Sequence, residues 1–128
     1  MTSRKAASPT PIDRSMLRRF PLPEPGGEAS KDQRGRVLVV GGSDEIPGAV
    51  VLAAIGALRA GAGKLTAATS RNAAIAVAVA VPEGRVIGLR SKKNGELDAR
   101  AAPALDDAVA AADAILVGPG MMEADGGV

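Results

Sequence analysis

The stretch Arg36-Val37-Leu38-Val39-Val40-Gly41-Gly42-Ser43 decides how the chain is read. Four consecutive apolar residues, mostly β-branched and bounded by glycines, have the composition of a strand buried on both faces. Downstream, residues 47–60 repeat Val51, Leu52, Ile55 and Leu58 at helical spacing. Pro47 suits the first helical position, where its missing N–H is no loss, and Gly61 suits a left-handed C-terminal position. Residues 64–69 and 85–89 read as the second and third strands. Between them, residues 72–81 are ambiguous. Ile75, Val77, Val79 and Val81 alternate with alanine as in a strand, but their place between two strands favours a short helix. Residues 91–96 are a polar loop turning at Lys92-Lys93-Asn94-Gly95. Residues 99–112 predict a second long helix, with Pro103 tolerable only in its first turn. Ala114-Ile115-Leu116-Val117 predicts a fourth buried strand, ending in Gly118-Pro119-Gly120. Strands alternating with helices predict an α/β fold, a parallel sheet with helices on its faces.

Upstream lies a different kind of sequence. Residues 1–35 form a proline-rich basic arm, in which Pro9, Pro11, Pro21, Pro23 and Pro25 restrict helix to a turn over residues 14–20. The arm is expected to be partly disordered, and residues 36–128 to form the α/β domain.

Composition narrows the function. The 128 residues carry a net charge of +2, with +4 placed in residues 1–36 and −2 in the rest. The basic arm has one aromatic, Phe20, and no recognised binding motif, so nucleic acid is not expected as a partner. There is no Cys and no His, which excludes disulfides, thiolate chemistry, His-based triads and His-ligated zinc. No apolar stretch is long enough to span a membrane, and residues 1–19 lack the apolar centre of a secretory signal, so the expected location is cytoplasmic. With 26 alanines and one aromatic, the core is thin for its length. That suggests part of something larger, or an obligate oligomer.

In an open α/β sheet, ligands sit beyond the carboxyl ends of the strands. Gly41-Gly42-Ser43-Asp44 and Gly118-Pro119-Gly120 lie there. Gly41-Gly42 fits either a plain tight turn or a close backbone approach to a ligand, and the start of the 47–60 helix favours an anion. Asp44 could touch ligand or metal, or cap the following helix. Asp113 is expected to end its helix, Asp106, Asp107, Lys92 and Lys93 to be solvated, and Met121-Met122 to pack. Two standard motifs fail. The G-x-G-x-x-G fingerprint is absent after the first strand. Gly61-Ala62-Gly63-Lys64 follows a helix and enters a strand, the reverse of a phosphate loop, and reads as a helix-to-strand turn.

The chain nonetheless resembles a known family. The first strand with Gly41-Gly42-Ser43, then Pro47-Gly48-Ala49, then Ala57-Leu58-Arg59-Ala60-Gly61-Ala62-Gly63-Lys64-Leu65, then Pro82-Glu83, then Ala114 to Gly120 are similar to ADP/ATP-dependent NAD(P)H-hydrate dehydratases, in the same order and spacing. The resemblance implies a three-layer ribokinase-like sheet with helices on both faces, here truncated to its N-terminal half. It implies nucleotide-dependent repair of the S form of NADHX or NADPHX, with ADP or ATP and magnesium as cofactors. The nucleotide phosphorylates the added hydroxyl, and loss of phosphate restores NADH or NADPH. Gly48, Ala49, Val50, Gly118 and Gly120 would line the dinucleotide pocket, and Gly41, Gly42 and Ser43 would form its floor. The family's Gly-rich nucleotide segment, whose aspartate is the base, would lie beyond Val128, so no catalytic residue is assigned and this chain alone is expected to be inactive. Its expected partners are the dinucleotide substrate and either a missing C-terminal half or a second copy.

Three departures accompany the resemblance. Ser30-Lys31-Asp32 stands where the family usually has His-Lys-Gly, Val50 is larger than the usual residue, and Met121 replaces a leucine. A ribokinase-like small-molecule kinase and a non-catalytic nucleotide- or partner-binding half-domain are the alternative readings.

Overall fold

A computed structural model describes residues 11–21, 30–31 and 33–121. Pro9, Pro23, Pro25 and Met122 lie outside the described residues. Within the arm, α1 (Arg14–Leu17) is one turn, with the Asp13 carboxylate accepting the Met16 N–H at 2.8 Å.

The domain follows the order β1 (Arg36–Val40), α2 (Gly48–Arg59), β2 (Lys64–Ser70), α3 (Ala74–Ala80), β3 (Arg85–Leu89), a 3-10 helix (Ala99–Leu105), α4 (Asp106–Ala111) and β4 (Ala114–Val117). All strand pairs are parallel, in the order β3-β2-β1-β4. The chain therefore moves outward from β1 to β3, crosses back, and places β4 on the other side of β1.

Strand alternation divides the core in two. Val39, Leu65 and Ala67 pack against α2 and α3, together with Val50, Ala54, Val77 and Val81. Leu38, Ala68 and Leu89 turn to the opposite face and pack against Leu105 of the 3-10 helix, with Ala108 of α4 beside them. A sheet with helices on both faces needs this run of apolar residues, because odd and even positions both face a layer.

The ambiguous 72–81 segment is helical. Ala73, Val77 and Val81 are buried at four-residue spacing, whereas Ile75 and Val79 are exposed. The alternation with alanine is thus incidental to a 3.6-residue period.

Three expectations need correction. The 99–112 helix is two pieces, since Pro103 sits inside a 3-10 segment and α-helix begins only at Asp106. Proline lacks the N–H that an α-helix from Ala99 would need there. Asp44 caps no helix: the Ser43 hydroxyl accepts the Ile46 N–H at 3.1 Å, and α2 has no side-chain cap. Last, β4 is not buried. All four of its residues are exposed, because it forms the sheet edge and no described layer covers it.

Other turns follow their residues. Gly61 takes φ +105° at the end of α2. The Gly63 and Lys64 N–H groups both donate to Gly35 O, making the helix-to-strand turn. A Cβ at Gly63 would collide with Lys31 O.

Candidate functional site

The sheet order puts a topological switch between β1 and β4. From the end of β1 the chain crosses over one face, and the connection into β4 crosses over the other. The loops therefore part outside the carboxyl ends of these two strands, where open α/β sheets bind ligands.

Both glycine turns arrive there, and they touch. The Gly42 N–H donates to Pro119 O at 2.6 Å, while Gly118 N–H continues the β4–β1 ladder to Val40 O at 3.0 Å. The contact demands glycine at three positions. A Cβ at Gly41 would run into Pro119 O. Gly42 has φ +74°, and a Cβ there would lie 2.6 Å from Thr69 Oγ1. Gly120 has φ +69°, and its Cβ would lie 2.5 Å from Ile46 O and 2.8 Å from the Ala49 Cβ. Gly118, at φ +123°, has open space around the same position.

The sequence-predicted residues divide by accessibility. Gly41, Gly42, Ser43 and Val50 are buried in the packing of the two turns and α2. Gly48, Ala49, Gly118 and Gly120 keep exposed surface. Gly48 and Ala49 open α2, and Ala49 lies against Gly120. The twelve-residue α2 turns its N-terminal end, without a side-chain cap, toward this surface. The positive end of its dipole makes that surface attractive to a phosphate.

Around the turns stands a polar framework that sequence reading did not find. The Asp44 carboxylate accepts from Asn72 Nδ2 at 2.8 Å and from the Ser91 hydroxyl at 3.2 Å, and its N–H donates to Gly95 O at 3.0 Å. Hydrogen bonds from Ser70 and Asn72 hold its pKa below the usual carboxylate range, with Ser91 adding to them. Asp44 thus ties the end of β1 to the loops after β2 and β3. No local motif announces it, because its partners are 28 and 47 residues away. Thr69 is also unforeseen: its hydroxyl is fully buried under Gly42 and has no hydrogen-bond partner.

The loop after β3 is a second charged cluster. Ser91 and Leu97 form an antiparallel bridge around Gly95, which has φ +82°. Lys92 Nζ lies 2.9 Å from Glu96 Oε2, and Lys92 and Lys93 stay exposed in the turn, as expected. Buried Asp98 accepts from Arg100 and from Arg90, each at 2.9 Å. The Arg100 bonds chiefly, then Arg90, hold the Asp98 carboxyl far below its ordinary pKa. Asp113 neither caps nor ends a helix with its side chain, but fastens β4 to β1 by accepting the Arg36 N–H at 2.8 Å.

Comparison with known proteins now decides the family. The family described as NAD(P)H-hydrate dehydratase matches residues 37–127. The chain belongs to the NAD(P)H-hydrate dehydratase family. It is 53% identical over 110 residues to the ADP-dependent (S)-NAD(P)H-hydrate dehydratase of Xanthomonas campestris, covering 86% of this chain and 37% of that protein. Its fold is ribokinase-like. A ribokinase-like superfamily protein from Enterococcus faecalis superimposes with TM-score 0.66 at 25% identity, over 81% of this chain and 33% of that one. The ADP/ATP-dependent NAD(P)H-hydrate dehydratase from Bacillus subtilis, co-crystallized with ATP/Mg2+, gives TM-score 0.51 at 38% identity, over 58% of this chain and 26% of that one. The chain therefore spans little more than a third of the curated relative it matches.

Magnesium prefers oxygen ligands such as carboxylates and phosphates. Among the described residues, no group of three or more acidic side chains could hold a metal ion. Nor is any described helix long and apolar enough to cross a membrane.

Proposed function

We propose that this chain forms the dinucleotide-side portion of an ADP-dependent (S)-NAD(P)H-hydrate dehydratase, which returns NADHX or NADPHX to NADH or NADPH. The observation that carries the reading is the meeting of the two glycine turns at the β1/β4 switch, marked by the Gly42 N–H to Pro119 O bond of 2.6 Å. Family membership supports the chemistry, and the relative's name supports ADP as donor.

Dehydration removes a hydroxyl from one ring carbon and a proton from its neighbour. When bound, the nucleotide supplies the phosphoryl group that converts the hydroxyl into a good leaving group. In this reading the first turn of α2, at Gly48 and Ala49, receives a phosphate of the dinucleotide through backbone N–H groups. Gly118 and Gly120 let the backbone approach the rest of the substrate closely. Gly41, Gly42, Ser43 and Val50 shape that surface from beneath. Phosphoryl transfer depends on such positioning. Asp44 is committed to Asn72 and Ser91 and is not the base. The catalytic step needs groups carried by the remaining length of the relatives, joined to this portion as one chain or as a partner. The proposed place of action is the cytoplasm.

Calorimetric titration of the whole chain with NADHX tests this. Saturable binding is expected, with no rise in NADH absorbance on adding ADP and magnesium. Ala49→Leu should weaken binding by about tenfold or more, because its side chain would fill the space beside Gly120. No binding of the hydrate, or unchanged binding by the Ala49 variant, defeats the reading.

A further inference from the structure

The outer helix layer carries an apolar face that no described element covers. Residues 46–58 and 73–82, which make up nearly all of α2 and the whole of α3, contain no polar side chain. Helices that are apolar on every side belong in interiors, because a surface helix ordinarily turns a polar face to water. Val50, Ala54 and Val77 take the inward positions against the sheet. The outward positions fall to Leu52, Ile75 and Val79, which are 73%, 79% and 77% exposed. Between the two helices runs a groove of about 210 Å³, walled by Ile55 and Leu58 on one side and by Ala80 and Val81 on the other.

Opposite charges bracket this face in a crossed pattern. Arg59 closes α2 and Glu83 follows α3, and both line the groove at that end. At the other end, Glu45 precedes α2 and Arg71 precedes α3. All four are exposed, and among the described residues none of them has an ion pair. Helices α2 and α3 link successive parallel strands over one face, so they run in the same direction. A two-fold axis along the groove therefore lays α2 of one copy on α3 of the other, with like ends together. Arg59 of each copy then meets Glu83 of the other, and Glu45 meets Arg71 in the same way. At about 1.5 Å per residue, Leu52 stands about 10 Å from Arg59, while Val79 and Ile75 stand about 6 and 12 Å from Glu83, so Leu52 of one copy falls between the other two.

We propose that the outer face of α2 and α3 is the interface through which two copies of this chain pair as a symmetric dimer. Such a contact requires a self-complementary surface, and the crossed charges with the interleaved Leu52, Val79 and Ile75 supply one. A further layer of the same chain does not fit here. Domains are built from two or three layers, and this sheet already has helices on both faces. A segment pairing with β4 would extend the sheet at its far edge and leave α2 and α3 bare. The face is small. Two helices about 10 Å wide and up to about 18 Å long give roughly 350 Å² per copy, below the ~800 Å² per partner of a standard interface. The dimer is therefore of the weak class, with a dissociation constant in the micromolar range. The pairing rests on none of the residues assigned to the hydrate surface.

Sedimentation equilibrium of the whole chain tests this, with urea unfolding to confirm that each variant is folded. A monomer–dimer equilibrium in the micromolar range is expected. Val79→Lys should raise the dissociation constant by about tenfold or more, since it buries a charge against Leu52 of the other copy. Arg59→Glu and Glu83→Arg should each do the same by setting like charges together. Mixing these two variants should restore a dimer, because each then meets its opposite, and both changes in one chain should restore it as well. Should a charge reversal fail to fold, Val79→Lys and Leu52→Glu decide. A parent chain that stays monomeric to about 1 mM, a dimer unchanged by Val79→Lys, or charge reversals that weaken pairing without rescue overturns the interface. A dimer lost in Ile115→Ala but kept in Val79→Lys assigns the pairing to the β4 edge and overturns it too.

Discussion

Strands β1 and β4 are nearly interchangeable as strings of residues, yet they live in different surroundings. Val37-Leu38-Val39-Val40 and Ala114-Ile115-Leu116-Val117 are both short, apolar and followed by glycine. They lie side by side with Leu38 opposite Ile115 and Val39 opposite Leu116. Leu38 and Val39 are 1% and 0% exposed, whereas Ile115 and Leu116 are each 46% exposed. Registered neighbours on adjacent strands face the same way, so the difference lies in what covers each strand. An apolar run encodes a strand with two faces to hide. Whether they are hidden depends on layers contributed by other segments, and β1 has them from α2, α3, the 3-10 helix and α4.

The largest test of this contrast is Leu38→Ala. Leu38 packs with Ala68, Leu89 and Leu105, which cannot close over a lost isobutyl group without moving the sheet. Urea unfolding should show a loss of about 2–5 kcal/mol, a large part of the 5–15 kcal/mol typical of a whole domain. A loss below about 1 kcal/mol would mean that this face of β1 is not a packed core.

Gly120→Ala tests the joint between the two strands. Alanine at φ +69° is strained by about 1–3 kcal/mol. Its Cβ would also press on Ile46 O and Ala49, so the Pro119 turn must shift away from Gly42. Expected results are a stability loss of that order, altered amide shifts at Gly41 and Gly42, and weakened hydrate binding. An unshifted Gly42 amide would show that the turns are not packed together in solution.

Acid addresses the connection that leads into β4. Asp44, Glu96 and Asp98 all have depressed pKa values in the folded chain, owing chiefly to hydrogen bonds from Ser70, Lys92 and Arg100 respectively. Carboxyls with lower pKa in the folded state contribute stability that is complete above their unfolded values, near pH 4, and is lost as pH falls through the folded ones. Amide exchange in residues 90–100 should therefore quicken below about pH 4, ahead of exchange in β1. Asp98→Asn should bring that quickening to neutral pH. Equal acid response in β1 and in the loop would show that the cluster does not govern this segment separately.

What was legible in the sequence was whatever local composition dictates. Strands β1 and β4 could be read from their apolar runs, and α2 from its spacing and bounding residues. The 72–81 helix needed topology as well, because Ile75 and Val79 imitate a strand. Pro103 gave warning of a break but not of the 3-10 segment around it, which rests on Asp98 accepting the Arg100 N–H. The glycine turns were legible as a pair, but their direct contact was not, since it joins residues nearly eighty positions apart. The partners of Asp44 were illegible for the same reason: they follow β2 and β3, and nothing beside it in sequence names them. The exposure of β4 could not be read from its residues, which are those of a buried strand.

Ile115→Ala should have the smallest effect, and it is the sharpest check on the contrast. Ile115 is the registered partner of Leu38, on the same face and of equal carbon count, but it is nearly half exposed. Trimming it removes fewer contacts and leaves no enclosed cavity, so the loss should stay below about 1 kcal/mol. Sedimentation should show whether the same change lowers self-association, because an open apolar edge invites pairing with another chain. If Ile115→Ala costs as much as Leu38→Ala, then β4 is covered in solution. A loss that grows with protein concentration in the parent would assign the cover to a second copy. A loss independent of concentration would place it within the chain, over the edge that β4 presents.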